Sequence, residues 1–217
     1  MSMLEQIGIL VVSCRELKFQ RLWRMVMSDS YSVSRLTDCR WANLFEVDYT
    51  RKKQPRRRWI MCSRNDDPVA GASRADAVVV VATVDADGER KLVVTKEFRV
   101  PIWDFEYGFP AGLIDDGEDV ETTVARELKE ETGLELVRIR HISTPVFSSA
   151  GLTDESCHMV LVEAQGQPSD KLLDESEDIE VLLLNVEGIR ALLASDKKIA
   201  AKAWGLLYHY AQTGQID

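Results

Sequence analysis

Residues 112–134 read Gly-Leu-Ile-Asp-Asp-Gly-Glu-Asp-Val-Glu-Thr-Thr-Val-Ala-Arg-Glu-Leu-Lys-Glu-Glu-Thr-Gly-Leu. Asp119 is a good helix N-cap, and an acidic residue follows in the first turn, where the helix dipole favours negative charge. Three apolar residues spaced by four are expected to face a core: Val120, Val124 and Leu128. Gly133 is placed to end the helix in the left-handed conformation. The stretch therefore predicts a helix that begins after Asp119 and ends before Gly133.

Three glutamates of this helix, Glu127, Glu130 and Glu131, stand at positions i, i+3 and i+4, so their carboxylates share one face. Like charges at this spacing repel and destabilise a helix unless a cation lies among them. Mg²⁺ or Mn²⁺ is one candidate, because hard cations prefer oxygen ligands. A solvated acidic face paired with Arg126 and Lys129 is the alternative, and three glutamates alone favour that alternative.

The wider stretch matches every fixed position of the Nudix box, Gly-x5-Glu-x7-Arg-Glu-U-x-Glu-Glu-x-Gly-U, in which U is apolar. The matching residues are Gly112, Glu118, Arg126, Glu127, Leu128, Glu130, Glu131, Gly133 and Leu134. A match of this length is very unlikely by chance, so the chain resembles the Nudix hydrolases. The resemblance implies an α/β (α+β) fold, namely an α/β/α sandwich with the box as a loop–helix–loop. It also implies metal-dependent hydrolysis of a nucleoside diphosphate linked to another moiety.

The composition limits the classes of partner. The 217 residues include 27 Lys and Arg against 36 Asp and Glu, for a net charge of −9. This balance argues against a general nucleic-acid binder, which needs a basic surface, and suits a protein that gathers divalent cations. The longest apolar runs, Ile7–Val12 and Ala77–Thr83, are too short to span a bilayer. We therefore expect neither nucleic acid nor membrane as a partner.

The cysteines and the start of the chain bear on localisation. The four cysteines form no CxxC pair and no zinc spacing, which is typical of reduced thiols in a cytoplasmic protein. Ile7–Cys14 loosely resembles a short signal core, but Glu5 precedes it and no Lys or Arg does. An N-terminal strand or ordered arm is the preferred interpretation.

The apolar pattern predicts two domains: residues 1–65, a small antiparallel β-domain, and residues 66–217, which the resemblance implies is the catalytic domain. The first contains the predicted strands Tyr31–Leu36, Trp41–Tyr49 and Arg57–Ser63, followed by a linker at Asn65–Gly71. In the second we expect the strands Asp76–Val84, Lys91–Phe98, Phe105–Phe109, Leu136–Val146, Cys157–Ala164 and Ile179–Asn185, and closing helices near 187–194 and 197–212.

The flanks of the box resemble the ADP-ribose and ADP-sugar diphosphatase branch. Phe109-Pro-Ala-Gly leads into the box as in that branch, and Lys96-Glu-Phe-Arg-Val-Pro101 resembles its Gln-Tyr/Phe-Arg-x-Pro element. Two features depart from the branch. Ile60 follows the second tryptophan where a glutamate is usual, and Ala150 replaces the usual proline after the box.

Two tryptophans, Trp41 and Trp59, lie 18 positions apart as in eukaryotic-type enzymes of this branch. There the β-domain pairs two subunits and the tryptophans sandwich the adenine, since a flat purine stacks well on an aromatic ring. The resemblance therefore implies a homodimer formed through the N-terminal domain. The alternative is that the two side chains are simply cross-strand hydrophobic partners.

The resemblance also assigns roles to individual residues. Glu127 and Glu131, with the carbonyl of Ala111, are expected to hold Mg²⁺ (Mn²⁺ is possible), and Glu130 to complete a second site. Ala111 also borders the substrate, while Arg126 and Glu118 are expected to fix the loop against the helix. Two arginines are expected to bind the diphosphate or terminal ribose: Arg64 and Arg99.

The residue that accepts the proton of the attacking water is expected on a late loop, where Glu177 aligns best. The alternative is that this loop is an ordinary acidic loop and that a box glutamate, such as Glu130 or Glu131, is the base. The predicted reaction is hydrolysis of ADP-ribose to AMP and ribose 5-phosphate. Another nucleotide sugar such as GDP-mannose, or a non-catalytic nucleotide-sensing domain, remains an alternative.

Overall fold

The computed structural model describes residues 30–51, 55–71, 74–173 and 178–216, and the structural findings concern these ranges. The contacts divide the chain into unit 1, Met1–Arg64, and unit 2, Asn65–Asp217. The expected N-terminal strand or arm and the expected base Glu177 both lie outside the described residues.

Unit 1 contains an antiparallel sheet in the order β1-β2-β3, with β1 at Tyr31–Arg35, β2 at Asn43–Tyr49 and β3 at Arg57–Ser63. The second strand begins at Asn43 rather than at Trp41. The Asn43 amide accepts a hydrogen bond from the Cys39 N–H at 2.7 Å and donates one to the Cys39 carbonyl at 2.9 Å. These bonds close a loop before β2, so Trp41 lies in that loop.

Unit 2 is built around one mixed sheet. Its strands are β4 (Ala77–Ala86), β5 (Glu89–Arg99), β6 (Asp104–Gly108), β7 (Ala111–Leu113), β8 (Glu135–Ile142), β9 (Val146–Phe147), β10 (Ser156–Gln165), β11 (Ile179–Leu184) and β12 (Lys198–Ile199). Its helices are the single turn α1 (Pro68–Gly71), α2 (Val120–Thr132), α3 (Val186–Leu193) and α4 (Ala201–Thr213). None of the described helices has the length and apolar character needed to cross a membrane.

Strand β4 is central in the order β12-β6-β5-β4-β10-β8. It runs parallel to β10 and antiparallel to β5 and β7, while β11 pairs with β5 and β9 with β10. Its run Val78–Ala82 is buried along its whole length, as the unbroken apolar sequence predicts for a strand covered on both faces.

Alternate residues of β4 belong to two different cores. Val78 and Val80 pack in a cluster with Val124 and Leu128 of α2. On the other face, the core joins β4 to both late helices through Val79, Val81, Ile189, Leu192, Ala203, Leu207 and Tyr210. A sheet with helices on both faces confirms the predicted α/β/α sandwich.

Helix α2 has both predicted ends. The Asp119 carboxylate accepts a hydrogen bond from the Thr122 N–H at 2.8 Å. Gly133 ends the helix at φ 73°, and its N–H donates to the Lys129 carbonyl. A Cβ on Gly133 would also meet the backbone and side chain of Ser169, so glycine is required there for two reasons.

Several short elements differ from the predicted ones. β7 and β12 are not predicted, the strand expected at Leu136–Val146 divides into β8 and β9, and the expected linker contains the turn α1. The last helix begins at Ala201 instead of 197, because Lys198–Ile199 pairs with β6. Pairings of two or three residues are too short to leave a periodic pattern in a sequence.

Candidate active site

Arg126 fastens the loop of the box to helix α2. Its guanidinium donates to both carboxylate oxygens of Glu118, at 3.0 and 2.9 Å, and to the Leu113 carbonyl at 3.1 Å. The Thr123 hydroxyl adds a further bond to Glu118 at 2.8 Å. The hydrogen bonds from Arg126 and Thr123 lower the pKa of Glu118 to about 2. These contacts confirm the expectation that Arg126 and Glu118 fix the loop against the helix.

The same guanidinium reaches two glutamates of the acidic face. Its Nη1 lies 2.7 Å from Glu127 and 3.2 Å from Glu130. Lys129 instead lies near the Gly133 carbonyl and Glu135. The alternative of a solvated acidic face is therefore right about pairing with Arg126 but wrong about pairing with Lys129 and about solvation, because Glu127 and Glu131 are only 8% and 5% exposed.

The two buried glutamates are anchored against the short strand β7. The carboxylate of Glu127 lies so close to Gly112 that a Cβ on that glycine would overlap it. Glu131 accepts a hydrogen bond from the Ala111 N–H at 3.0 Å. The folding of β7 against α2 thus brings the Ala111 backbone and the carboxylates of Glu127 and Glu131 to one place.

These donors suit a hard divalent cation. Two carboxylates removed from water carry an unfavourable charge that a cation offsets, and the adjacent Ala111 backbone offers a further oxygen. Within the described residues, no group of three or more acidic, His or Cys side chains is already gathered for a metal. Arg126 supplies the positive charge between Glu127 and Glu130, so a metal would have to take over those contacts.

A pocket of about 230 Å³ lies within unit 2, beside the Ala111 backbone. Its charged and polar lining consists of Thr95, Glu97, Arg99, Glu106, Glu155 and Lys202. The Arg99 guanidinium lies 2.6 Å from Glu97 and 3.7 Å from Glu106, which hold it at the wall. This pocket brings one predicted arginine and Ala111 together.

Lys202, Ser148 and Glu155 form a chain of hydrogen bonds beside the pocket. Lys202 Nζ donates to the Ser148 hydroxyl at 3.0 Å, and that hydroxyl donates to Glu155 at 2.8 Å. Burial raises the pKa of the nearby Cys157 thiol, and Lys202 acts in the opposite direction. None of these residues is among those expected from the sequence. Glu155 follows Ala150, at which the chain departs from the branch, and Lys202 lies at the start of α4, just after the unpredicted strand β12.

The remaining predicted residues lie in unit 1. Trp41 and Trp59 are 66% and 47% exposed, and the residue opposite Trp59 on β2 is Val47. The alternative that the two tryptophans are cross-strand partners is therefore wrong. The Arg40 guanidinium lies 4.4 Å from the centre of the Trp41 ring. Arg64 is exposed and is the last residue of this unit.

Comparisons with known proteins agree with this geometry. The model of the NUDIX domain matches residues 73–203. A nudix hydrolase of Caenorhabditis elegans is 35% identical over 142 residues, which cover 63% of this chain and 63% of that protein. The ADP-ribose pyrophosphatase of Saccharomyces cerevisiae is 31% identical over 153 residues, which cover 68% of this chain and 65% of that protein. The chain thus spans just under two thirds of the length of both relatives.

A solved structure, that of an ADP compounds hydrolase, has the same fold. Its TM-score is 0.63 at 19% identity, and the match covers 85% of this chain and 95% of that one. Nudix hydrolases generally use divalent metal ions, which agrees with the donors gathered beside Ala111. The family model covers more than half of the chain and includes the whole box. The chain therefore belongs to the Nudix hydrolase family.

Proposed function

We propose that the protein hydrolyses the diphosphate of a nucleoside diphosphate sugar, with ADP-ribose as the substrate and AMP and ribose 5-phosphate as the products. The observation that carries the proposal is the buried pair Glu127 and Glu131, anchored at Gly112 and Ala111 next to a pocket that contains Arg99. The name of the yeast relative, ADP-ribose pyrophosphatase, supports the choice of substrate.

In this proposal Mg²⁺, or Mn²⁺ in its place, is held by Glu127, Glu131 and the Ala111 carbonyl, and Glu130 completes a second site. A metal held there would supply charge neutralisation for the diphosphate and would lower the pKa of water, so that water loses a proton more easily at neutral pH. Arg126 holds Glu127 and Glu130 on the same face of the helix, and a bound metal would take over these contacts.

The chain's own residues supply binding and proton transfer. The guanidinium of Arg99 binds phosphate oxygens, since it can donate several hydrogen bonds from one planar group. Arg64 is the second arginine proposed for the diphosphate or terminal ribose. Glu177 is the proposed general base that accepts the proton of the attacking water. If Glu177 proves dispensable, Glu130 or Glu131 is the base.

Unit 1 is proposed to bind the adenine and to form a homodimer. Trp41 and Trp59 keep large parts of their rings exposed, which favours stacking on a base over burial in a core. Ile60 lies next to Trp59 in β3, so their side chains point to opposite faces of the sheet. The departure at Ile60 therefore leaves the face that carries Trp59 unchanged.

We also propose that the enzyme works in the cytoplasm. Among the described residues Cys39, Cys62 and Cys157 are free thiols, which suits a reducing compartment.

A panel of nucleotide sugars tests the substrate. The wild-type protein is incubated with Mg²⁺ and ADP-ribose, ADP-glucose or GDP-mannose, and phosphate is measured after coupling to a phosphatase. We expect the highest kcat/KM with ADP-ribose. Preference for GDP-mannose would overturn the choice of base, and absence of release from every substrate would support a nucleotide-sensing domain instead.

A further inference from the structure

The two cations of the pocket in unit 2 are held differently. Arg99 is ion-paired with Glu97 at 2.6 Å. Lys202 Nζ instead donates to the neutral hydroxyl of Ser148 at 3.0 Å. Exchanging a neutral hydroxyl for an anion costs less than breaking a close ion pair. Lys202 is therefore the cation better suited to receive a charged ligand.

Ser148 fixes the position of the lysine. A serine hydroxyl has one proton to donate, and here it goes to Glu155 at 2.8 Å, which leaves the oxygen lone pairs for Lys202. The Ser148 N–H also donates to the Glu155 carbonyl at 2.9 Å, so the backbone holds the serine in place. The lysine is thus oriented at the pocket wall by a hydroxyl that Glu155 in turn holds.

Helix stability does not explain a lysine at this position. Lys202 is the second residue of α4, and the first turn of a helix is where a cation is least favourable. Its neighbours along the chain on the pocket wall, Ala200 and Ala203, carry no charge, and it contacts the carboxylate of Glu155 through the Ser148 hydroxyl. A lysine that is unfavourable for its own helix and directed into a pocket points to a ligand.

We propose that Lys202 is a specificity-determining residue that binds the phosphoryl group on the sugar half of the substrate. The inference rests on the proposed function. The pocket lies wholly within unit 2 and includes Ala111, whose N–H is bonded to Glu131. Because the base is assigned to tryptophans of unit 1, this pocket is left for the other half of the molecule. The single charge of Arg99 is shared between Glu97 and Glu106, and Glu155 adds a third carboxylate, so a second cation is needed to admit a phosphate.

Product inhibition tests which half of the substrate Lys202 binds. Lys202→Met is compared with Lys202→Arg and with the control Lys198→Met, whose charge is paired with Asp104 at 2.8 Å and which does not line this pocket. For Lys202→Met we expect KM for ADP-ribose and the Ki of ribose 5-phosphate each to rise about tenfold, or ~1.4 kcal/mol. The Ki of AMP and kcat should change less than about twofold, and Lys202→Arg should restore most of the affinity.

The outcomes separate this inference from the proposed function. If the wild type turns over the substrate and the Ki of ribose 5-phosphate is unchanged in Lys202→Met, the proposed role of Lys202 is wrong. It is also wrong if Lys202→Met raises only the Ki of AMP. A wild-type protein that hydrolyses no nucleotide sugar overturns the proposed function. In that case calorimetric titration with ribose 5-phosphate still tests the role of Lys202. Loss of binding in Lys202→Met alone supports the role, and equal binding in all variants contradicts it.

Discussion

Glu127 lies against Gly112 so closely that a single methyl group on the glycine would overlap the glutamate carboxylate. The two residues are far apart on the box but meet where β7 packs on α2. A backbone without a side chain is what allows a buried carboxylate to lie at this strand. The first position of the box is therefore tied directly to the placement of a proposed metal ligand.

Gly112→Ala should move the Glu127 carboxylate and lower kcat by at least about tenfold, because a displaced ligand no longer holds charge where the reaction needs it. Gly117→Ala is not a suitable control, because Gly117 has φ 88°, at which the backbone of any residue with a side chain is strained. Gly151→Ala is the better control, because its Cβ would meet nothing within 4 Å. Equal kcat values in Gly112→Ala and the wild type would argue against the role of this contact.

The ion pair between Glu118 and Arg126 should give the protein a defined acid sensitivity. The folded pKa of Glu118 is lowered from 4.5 to about 2, so its stabilisation is complete above about pH 4.5 and is lost as the pH falls toward 2. Glu118→Gln should unfold at lower urea concentration than the wild type at pH 7, and the gap should narrow across that window. Glu121→Gln, on the exposed side of the helix, is the control.

A gap between wild type and Glu118→Gln that stays constant from pH 7 to pH 3 would contradict this account. It would indicate that the carboxylate contributes through shape and neutral hydrogen bonds alone. Urea unfolding followed by circular dichroism at each pH provides the measurement.

Chelation should separate fold from function. Mg²⁺ sites with few protein ligands keep several waters and bind weakly, and Arg126 already pairs with Glu127 and Glu130 without a metal. We expect EDTA to remove activity and to shift the Tm by less than about 2 °C, and added Mg²⁺ to restore activity. A large fall in Tm on chelation would instead indicate a structural metal.

The tryptophans should affect substrate binding more than turnover. Trp41→Ala and Trp59→Ala should each raise KM about tenfold and leave kcat within about threefold, because base stacking is far from the bond that breaks. Trp103→Ala is the control, since Trp103 is also exposed, at 77%, but belongs to unit 2. A fall in kcat at unchanged KM would place the tryptophans outside the base site.

The assembly state is tested separately by light scattering of the full chain. A homodimer has twice the 24.5 kDa mass of one chain. We expect that mass at micromolar concentration, and a monomer that is fully active would contradict the proposed dimer.

The box and its helix were predictable because their information is local. The cap at Asp119, the left-handed Gly133 and the apolar spacing of four act within a few residues, and all are present in the structure. The buried strand β4 was predictable for a similar reason, since an unbroken Val/Ala run is typical of a strand covered on both faces.

The rest of the site depends on distant pairings. Lys202 lines the pocket just after β12, which pairs with β6, and two paired residues leave no signal in the sequence. The acidic face was also incompletely predicted. Spacing shows that the glutamates share a face, but the burial of Glu127 and Glu131 follows from β7, whose three residues carry no strand pattern.

The most direct test of the account is the kcat of Glu131→Gln with ADP-ribose and Mg²⁺, measured beside the control Glu135→Gln, an exposed glutamate just past the same helix. Removing one charged ligand while keeping its shape should lower kcat about 1000-fold, or ~4 kcal/mol, with the circular dichroism spectrum unchanged. The control should retain wild-type kcat. A folded Glu131→Gln protein that keeps most of its kcat would contradict the assignment of the reaction to the box.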